Sequence, residues 1–252
     1  MIYAYLIRTL KQPKLFISVL GVFAMCMMRL TNGAFTADDL VGDLDLLVNI
    51  DAFRKVIVVF SAVPFASVFA DEWNHKMTIS CVLRSTPKKY AWSQVVVCFT
   101  TAFLVTLLGF ILFLVVNSFR MPIYIPDGNP TTPPYGVLLE KNMPLIHLLV
   151  ISVNFSISCA MWSVTGLLMS AIFPNTFIAV CTPFIASYML ERITLNFPDK
   201  LNLLYVALSR ISILDNPIVS FLYVIVVFCG LTIIFGYTFS VIVEKRVKNE
   251  MG

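Results

Sequence analysis

Between Lys141 and Glu191 the chain reads NMPLIHLLVISVNFSISCAMWSVTGLLMSAIFPNTFIAVCTPFIASYML (142–190), 49 residues without one Asp, Glu, Lys or Arg. As a single helix this stretch would be about 74 Å long at about 1.5 Å per residue. The hydrocarbon of a bilayer is only about 30 Å thick. The stretch must therefore turn back, and Phe173-Pro174-Asn175-Thr176 is where it does so. Proline ends the backbone hydrogen-bond ladder, while Asn and Thr supply turn and N-cap oxygens. The result is two antiparallel membrane helices, Leu145 to Ile172 and Phe177 to Leu190.

Working outward, Tyr90 to Phe119 carries no charge and holds a span centred on Val95 to Val116, and Asn216 to Val243 holds another. Toward the amino terminus the runs are shorter. Leu15 to Met28 is followed by Arg29, and Val56 to Ala70 is preceded by Arg54 and Lys55. Both read as spans whose cations snorkel toward an interface. The first run has a basic flank (Arg8, Lys11, Lys14) but no small-x-small cleavage site before Asp38, so it reads as an uncleaved anchor. Pro64 and Pro183 are expected kinks. The fold class is an all-α membrane protein of six transmembrane helices, residues 15–252, preceded by an interfacial segment, residues 1–14.

Composition agrees. The 252 residues are 59% hydrophobic and 13% charged, with 21 Phe, and the mean hydropathy is +0.88. Soluble domains are about 45–50% apolar and about 25% charged, so the surplus faces lipid. Disorder requires the opposite balance. The six cysteines are scattered with no C-x-x-C pair, which indicates neither a disulfide framework nor zinc; they read as small buried hydrophobes.

Six spans put both termini on one side. That side, comprising the amino-terminal segment, the 71–94 loop and the tail, holds ten basic and four acidic residues. The other holds eight basic and ten acidic ones, with Asp38, Asp39, Asp43, Asp45 and Asp51 crowded into one loop. The positive-inside rule makes the first side cytoplasmic. The net charge of +4 is thus a topology signal and no indication of a nucleic-acid partner.

Four further segments lie outside the spans. In MIYAYLIRTLKQPK (1–14), Ile2, Leu6 and Leu10 share one helical face, which suits an amphipathic interfacial helix; a disordered basic tail is the competing account. In the 71–94 loop, Trp73, Met77 and Cys81 repeat at helical spacing and form an apolar ridge. Thr86-Pro87 then reads as an N-cap with proline at the first helical position. This loop either docks on another protein or lies on the headgroups, anchored by Lys88, Lys89, Tyr90 and Trp92. The external segment 120–144 holds six of the thirteen prolines and reads as an extended loop. Residues 191–216 contain an apolar patch, Leu201 to Leu208, too short to span; a re-entrant hairpin and an ordinary loop both fit.

Catalytic constellations are missing. The two histidines are His75 and His147, and there is no H-E-x-x-H helix, G-x-S-x-G elbow or carboxylate within a span as drawn. The expectation is a protein without enzymatic activity of its own. No G-x-x-x-x-G-K-[ST] exists either, so energy for any driven transport enters from another subunit. On the fourth span Ser152, Ser156, Cys159, Ser163, Gly166 and Ser170 step by 4, 3, 4, 3 and 4 residues along one face. Small residues permit close helix packing; lining a transport path is the other reading.

The whole pattern resembles the membrane permease of type-2 ABC exporters, the ABC-2 group. It comprises a basic amphipathic first helix, six spans, a cytoplasmic helix after the second, an external re-entrant region after the fifth, and the basic tail Glu244-Lys245-Arg246-Val247-Lys248. Its most specific piece, Met77-Thr78-Ile79-Ser80-Cys81-Val82-Leu83-Arg84-Ser85-Thr86-Pro87-Lys88-Lys89, is similar to the family's Gly-Thr, leucine-rich, Ser/Arg-Pro, basic segment, with Met77 in place of the common glycine and the proline shifted. The resemblance implies that 71–94 carries a coupling helix, with Glu72, Trp73, Met77, Cys81 and Arg84 toward a separate ATP-binding subunit. It further implies two such subunits holding ATP and Mg, no cofactor on this chain, a second permease chain, identical or related, and a bacterial inner-membrane location. The implied function is export of an amphipathic peptide such as a bacteriocin, a lipid-like molecule or a drug. An ATP-independent carrier, and a non-transporting immunity or scaffold protein acting through the acidic loop Asp38 to Asp51, are the alternatives.

Overall fold

The computed structural model describes residues 2–31, 38–83, 86–126, 134–213 and 216–251, with backbone alone at 29–31, 79–80, 83 and 251. Arg84 and the Arg29 side chain lie outside the described residues. The chain is 81% helix, and the described residues contain no strand. This is an all-α, multi-pass membrane protein. Four helices are each long and apolar enough to cross a bilayer: α7 (Pro87–Asn117), α9 (Pro144–Ile172), α10 (Thr176–Thr194) and α12 (Pro217–Met251). A fifth candidate is the pair α1 (Ile2–Leu10) and α2 (Pro13–Thr31), bent by 62° at Lys11-Gln12.

The turn expected at 173–176 is present. Asn175 caps α10 by accepting the Phe177 N–H at 2.8 Å, and Thr86 caps α7 by accepting the Lys89 N–H at 3.4 Å, with Pro87 in the first turn. Helix α9 is the centre of the bundle, packed by α7, α10, α12 and α4 (Asp51–Ala62). Helices α10 and α12 stand outside it and turn apolar side chains outward, among them Ile185, Met189 and Ile193 on α10 and Leu222, Val226 and Ile234 on α12. Lipid is the solvent such faces require.

Four expectations need correction. The second run is broken rather than kinked: α4 stops at Ala62, and turns across residues 63–67 lead into α5 (Val68–Asn74). Pro64 has no N–H to continue the ladder; the Phe65, Ala66 and Val68 amides bond Ala62 and Phe65 carbonyls instead. Second, Arg54 and Lys55 do not snorkel. Each is buried, because Glu191 at the far end of α10 neutralises both. Third, the acidic segment contains a helix, α3 (Leu40–Asn49), burying Leu40, Val41, Leu44, Leu47 and Val48. Fourth, the proline-rich segment 120–144, expected to be an extended loop, includes a short helix, α8 (Gly136–Glu140), in the gap between Pro134 and Pro144. Past α10 the chain makes one 3-10 turn (Asp199–Leu201) and the short α11 (Leu203–Ala207), capped by Asn202, which accepts the Leu204 N–H at 3.0 Å.

Side-chain contacts define two ends of the bundle. At one, Asp71, Glu72 and Asn74 meet Lys14, Tyr90 and Pro174. At the other, Arg54 meets Glu191 and Asn49 meets Arg210. The α4–α5 segment runs from one end to the other.

Candidate functional site

The loop that resembles a coupling element is built around one carboxylate. Glu72 on α5 is buried, 4% exposed, and its Oε2 accepts from Tyr90 Oη at 2.7 Å, Gln94 Nε2 at 2.8 Å and Tyr5 Oη at 3.2 Å. Arg8 Nη1 lies 3.5 Å from its Oε1. The four partners come from two helices: Tyr5 and Arg8 from α1, Tyr90 and Gln94 from α7. Hydrogen bonds to a charged group contribute about 1.5–3 kcal/mol each, net of the water they replace. Burial, and then the charge on Glu72, hold the Tyr5 phenol above its ordinary value, so it remains a donor.

The neighbouring residues of this loop extend the ties. Asp71 Oδ1 accepts from Thr176 Oγ1 at 2.9 Å, and Asn74 Nδ2 donates to the Pro174 carbonyl at 3.1 Å. Trp73 stacks on Phe69, ring centroids 5.8 Å apart, and carries the Arg246 guanidinium at 5.2 Å. Arg246 also donates to the Ile172 carbonyl at 2.6 Å. Residues 71–74 thereby hold α1, α7, the α9–α10 turn and the tail of α12.

This geometry reassigns the sequence-derived residues. Glu72 faces inward and serves as an internal tie. The ridge Trp73, Met77, Cys81 is not one helix: α5 ends at Asn74, Lys76 adopts a left-handed backbone with φ 57°, and α6 (Met77–Leu83) starts anew. Met77 is 52% exposed, whereas Trp73 and Cys81 are half-buried. On α1 the protein-facing residues are Tyr5 and Thr9, which leaves Ile2 and Leu10 on the outer face.

The small-residue stripe on α9 lies inside the bundle. Ser152, Ser156, Cys159, Ser163 and Ser170 are all fully buried. Ser163 Oγ sits 3.2 Å from Cys98 Sγ on α7, while Ser156 and Ser170 donate to the Ser152 and Leu167 carbonyls of their own helix. At Gly166 a Cβ would come within 2.3 Å of the Ala179 carbonyl of α10. Within this chain the stripe acts as a packing surface, with helix backbones drawn together where side chains are smallest.

At the opposite end lies a group that local sequence reading did not bring together. Glu191 Oε2 is 2.7 Å from Lys55 Nζ and 3.0 Å from Arg54 Nη2, and Arg54 also pairs with Asp51. These residues line a cavity of about 340 Å³ with Asn49, Tyr188, Arg192, Leu195, Leu204, Leu208 and Arg210. The only sequence signal was the pairing of two cations before a span with one acid after another. The acidic loop itself is committed internally: Asp39 accepts from the Gly42 and Ile125 amides, Asp43 is buried, and Asp45 lies 3.6 Å from His147. Among the described residues, no three of His, Cys, Asp and Glu converge as a metal site.

Comparison of the chain with protein-family models, with curated proteins and with solved structures finds no match. Fold and side-chain geometry are therefore the grounds for a functional reading.

Proposed function

We propose that this chain is the membrane-spanning permease subunit of an ATP-driven ABC exporter of the ABC-2 type. It moves an amphipathic substrate outward: a bacteriocin-like peptide, a lipid-like molecule or a drug. In this reading α4–α5 is the sixth span despite its break, both termini are cytoplasmic, the membrane is the bacterial inner membrane, and residues 191–216 form the external re-entrant segment. Two copies of a separate subunit bind ATP and Mg, and a second permease chain completes the transporter.

The observation that carries this reading is the set of ties made by residues 71–74. A displacement of that loop is transmitted at once to α1, α7, the α9–α10 turn and α12, because Glu72 holds the first two, Asp71 and Asn74 hold the turn, and Trp73 holds the last. Such a loop suits a lever that moves helices as semi-rigid bodies. Exposed Met77 is the surface an ATPase would seat, together with Arg84 by the resemblance; Trp73 and Cys81 back it. The scaffold alternative has less support, since Asp39, Asp45 and Asp51 of its acidic loop make contacts within the chain.

The test is purification in mild detergent followed by coupling assays. A P-loop ATPase subunit should accompany the chain. Met77→Asp with Arg84→Ala should reduce substrate-stimulated ATP hydrolysis by about tenfold, within the usual range of coupling energies. Repeated isolation without any ATPase, or unchanged coupling in the double variant, overturns the reading.

A further inference from the structure

Four cations, Arg54, Lys55, Arg192 and Arg210, line the cavity of about 340 Å³ against two carboxylates, Asp51 and Glu191. The carboxylates are already engaged, Glu191 by Arg54 and Lys55, and Asp51 by Arg54. Arg192 lies over the Tyr188 ring at 5.3 Å and Arg210 donates to Asn49 Oδ1 at 2.6 Å; neither enters an ion pair among the described residues. The cavity thus holds two positive charges in excess. In addition, Arg54, 4% exposed, has a buried Nε–H with no hydrogen-bond partner. Buried donors are almost always satisfied, and guanidinium groups match oxyanions, phosphate above all, through paired N–H bonds.

The surroundings indicate where such an anion comes from. Tyr188 lines the cavity and also belongs to the outward apolar face of α10, with Ile185, Met189 and Ile193. A lipid lying along that face has its acyl chains on α10 and its headgroup at the cavity. We propose that this cavity binds the phosphoryl group of an anionic membrane lipid. The proposal goes beyond the permease reading and does not depend on it, because it concerns a resident ligand of this chain alone.

The experiment uses the full-length protein in mild detergent with an equimolar mixture of phosphatidylglycerol and phosphatidylcholine, and native mass spectrometry reads the lipids retained. A parallel arm measures thermal stability against inorganic phosphate. Arg192→Gln with Arg210→Gln removes the excess charge at exposed positions, leaving the buried pair intact. Lys11→Gln with Lys245→Gln removes equal charge at the opposite end. The wild type should prefer phosphatidylglycerol by about thirtyfold, the effect of roughly two interfacial cations. The arginine variant should fall close to parity and the lysine variant should keep the preference. Parity in the wild type, or equal loss in both variants, overturns the site when phosphate also fails to stabilise the protein. Phosphate stabilisation that only the arginine variant loses, without lipid preference, keeps the phosphoryl site and overturns the lipid as its source.

Discussion

Glu191 shows how much a single residue can carry. With Arg54 and Lys55 both buried against it, its removal leaves cations with no matching charge in a medium that solvates them poorly. Breaking a buried pair from one side typically costs about 3–5 kcal/mol. Glu191→Gln should therefore lower the apparent melting temperature in detergent sharply, and adding Lys55→Met should recover part of the loss. Gly166 makes the opposite case, a position defined by what is missing. A methyl there meets the Ala179 carbonyl at 2.3 Å, an atom of fixed backbone. Gly166→Ala should cost about 1–3 kcal/mol by forcing α9 and α10 apart, read in the same melting assay. Neither role could be read locally. Arg54 and Glu191 stand 137 residues apart, and a window of sequence around Arg54 contains no acid on the span side to receive it. Gly166 was picked out by its register with the serines, but only the packed structure names the atom it accommodates.

The elements divide by what defines them. Helices α7, α9, α10 and α12 were legible because an uncharged run longer than a membrane's thickness leaves no other choice, and because Thr86-Pro87 and Pro174-Asn175 mark their starts. Helix α3 was hidden by its aspartates, although Leu40, Leu44 and Leu47 keep helical spacing and Asp39 caps it. The α5–α6 break was hidden for a different reason. Lys76 holds a left-handed backbone that its residue type does not announce, since such conformations usually fall to Gly, Asn or Asp. Lys76→Gly should keep or slightly raise stability, whereas the β-branched Lys76→Ile should cost about 1–2 kcal/mol. Hydrogen exchange across residues 68–83 distinguishes the two, with faster exchange in α5 and α6 expected of the isoleucine variant alone.

Across the whole molecule, polar groups segregate to the two ends and the middle is held by apolar packing and small residues. The proposed orientation can be checked with single cysteines and a membrane-impermeant thiol reagent, in a background lacking the native cysteines. Lys11→Cys and Lys245→Cys should react only after the membrane is opened, and Asn142→Cys should react in intact cells. The proposed sixth crossing by α4–α5 is tested by the same labels, since α2 and α7 alone would return the chain to the side of Lys11; labelling of Lys11 and Asn142 from one side would remove it. Charge counting is the ground for this proposed polarity, since the distribution of Lys and Arg follows from insertion itself. What it could not indicate was that some of those charges end up buried and bonded to each other.

That burial imposes an order on the making of the protein. A ribosome delivers Arg54 and Lys55 long before it reaches Glu191, so α4 is first made as a segment carrying two cations with Asp51 alone beside them. Each such charge disfavours insertion by about 2.5–3.5 kcal/mol at mid-membrane, and less near the surface. Helix α4 thus takes its seat provisionally, and the arrival of α10 locks it there, making the last third of the chain a condition for keeping the first.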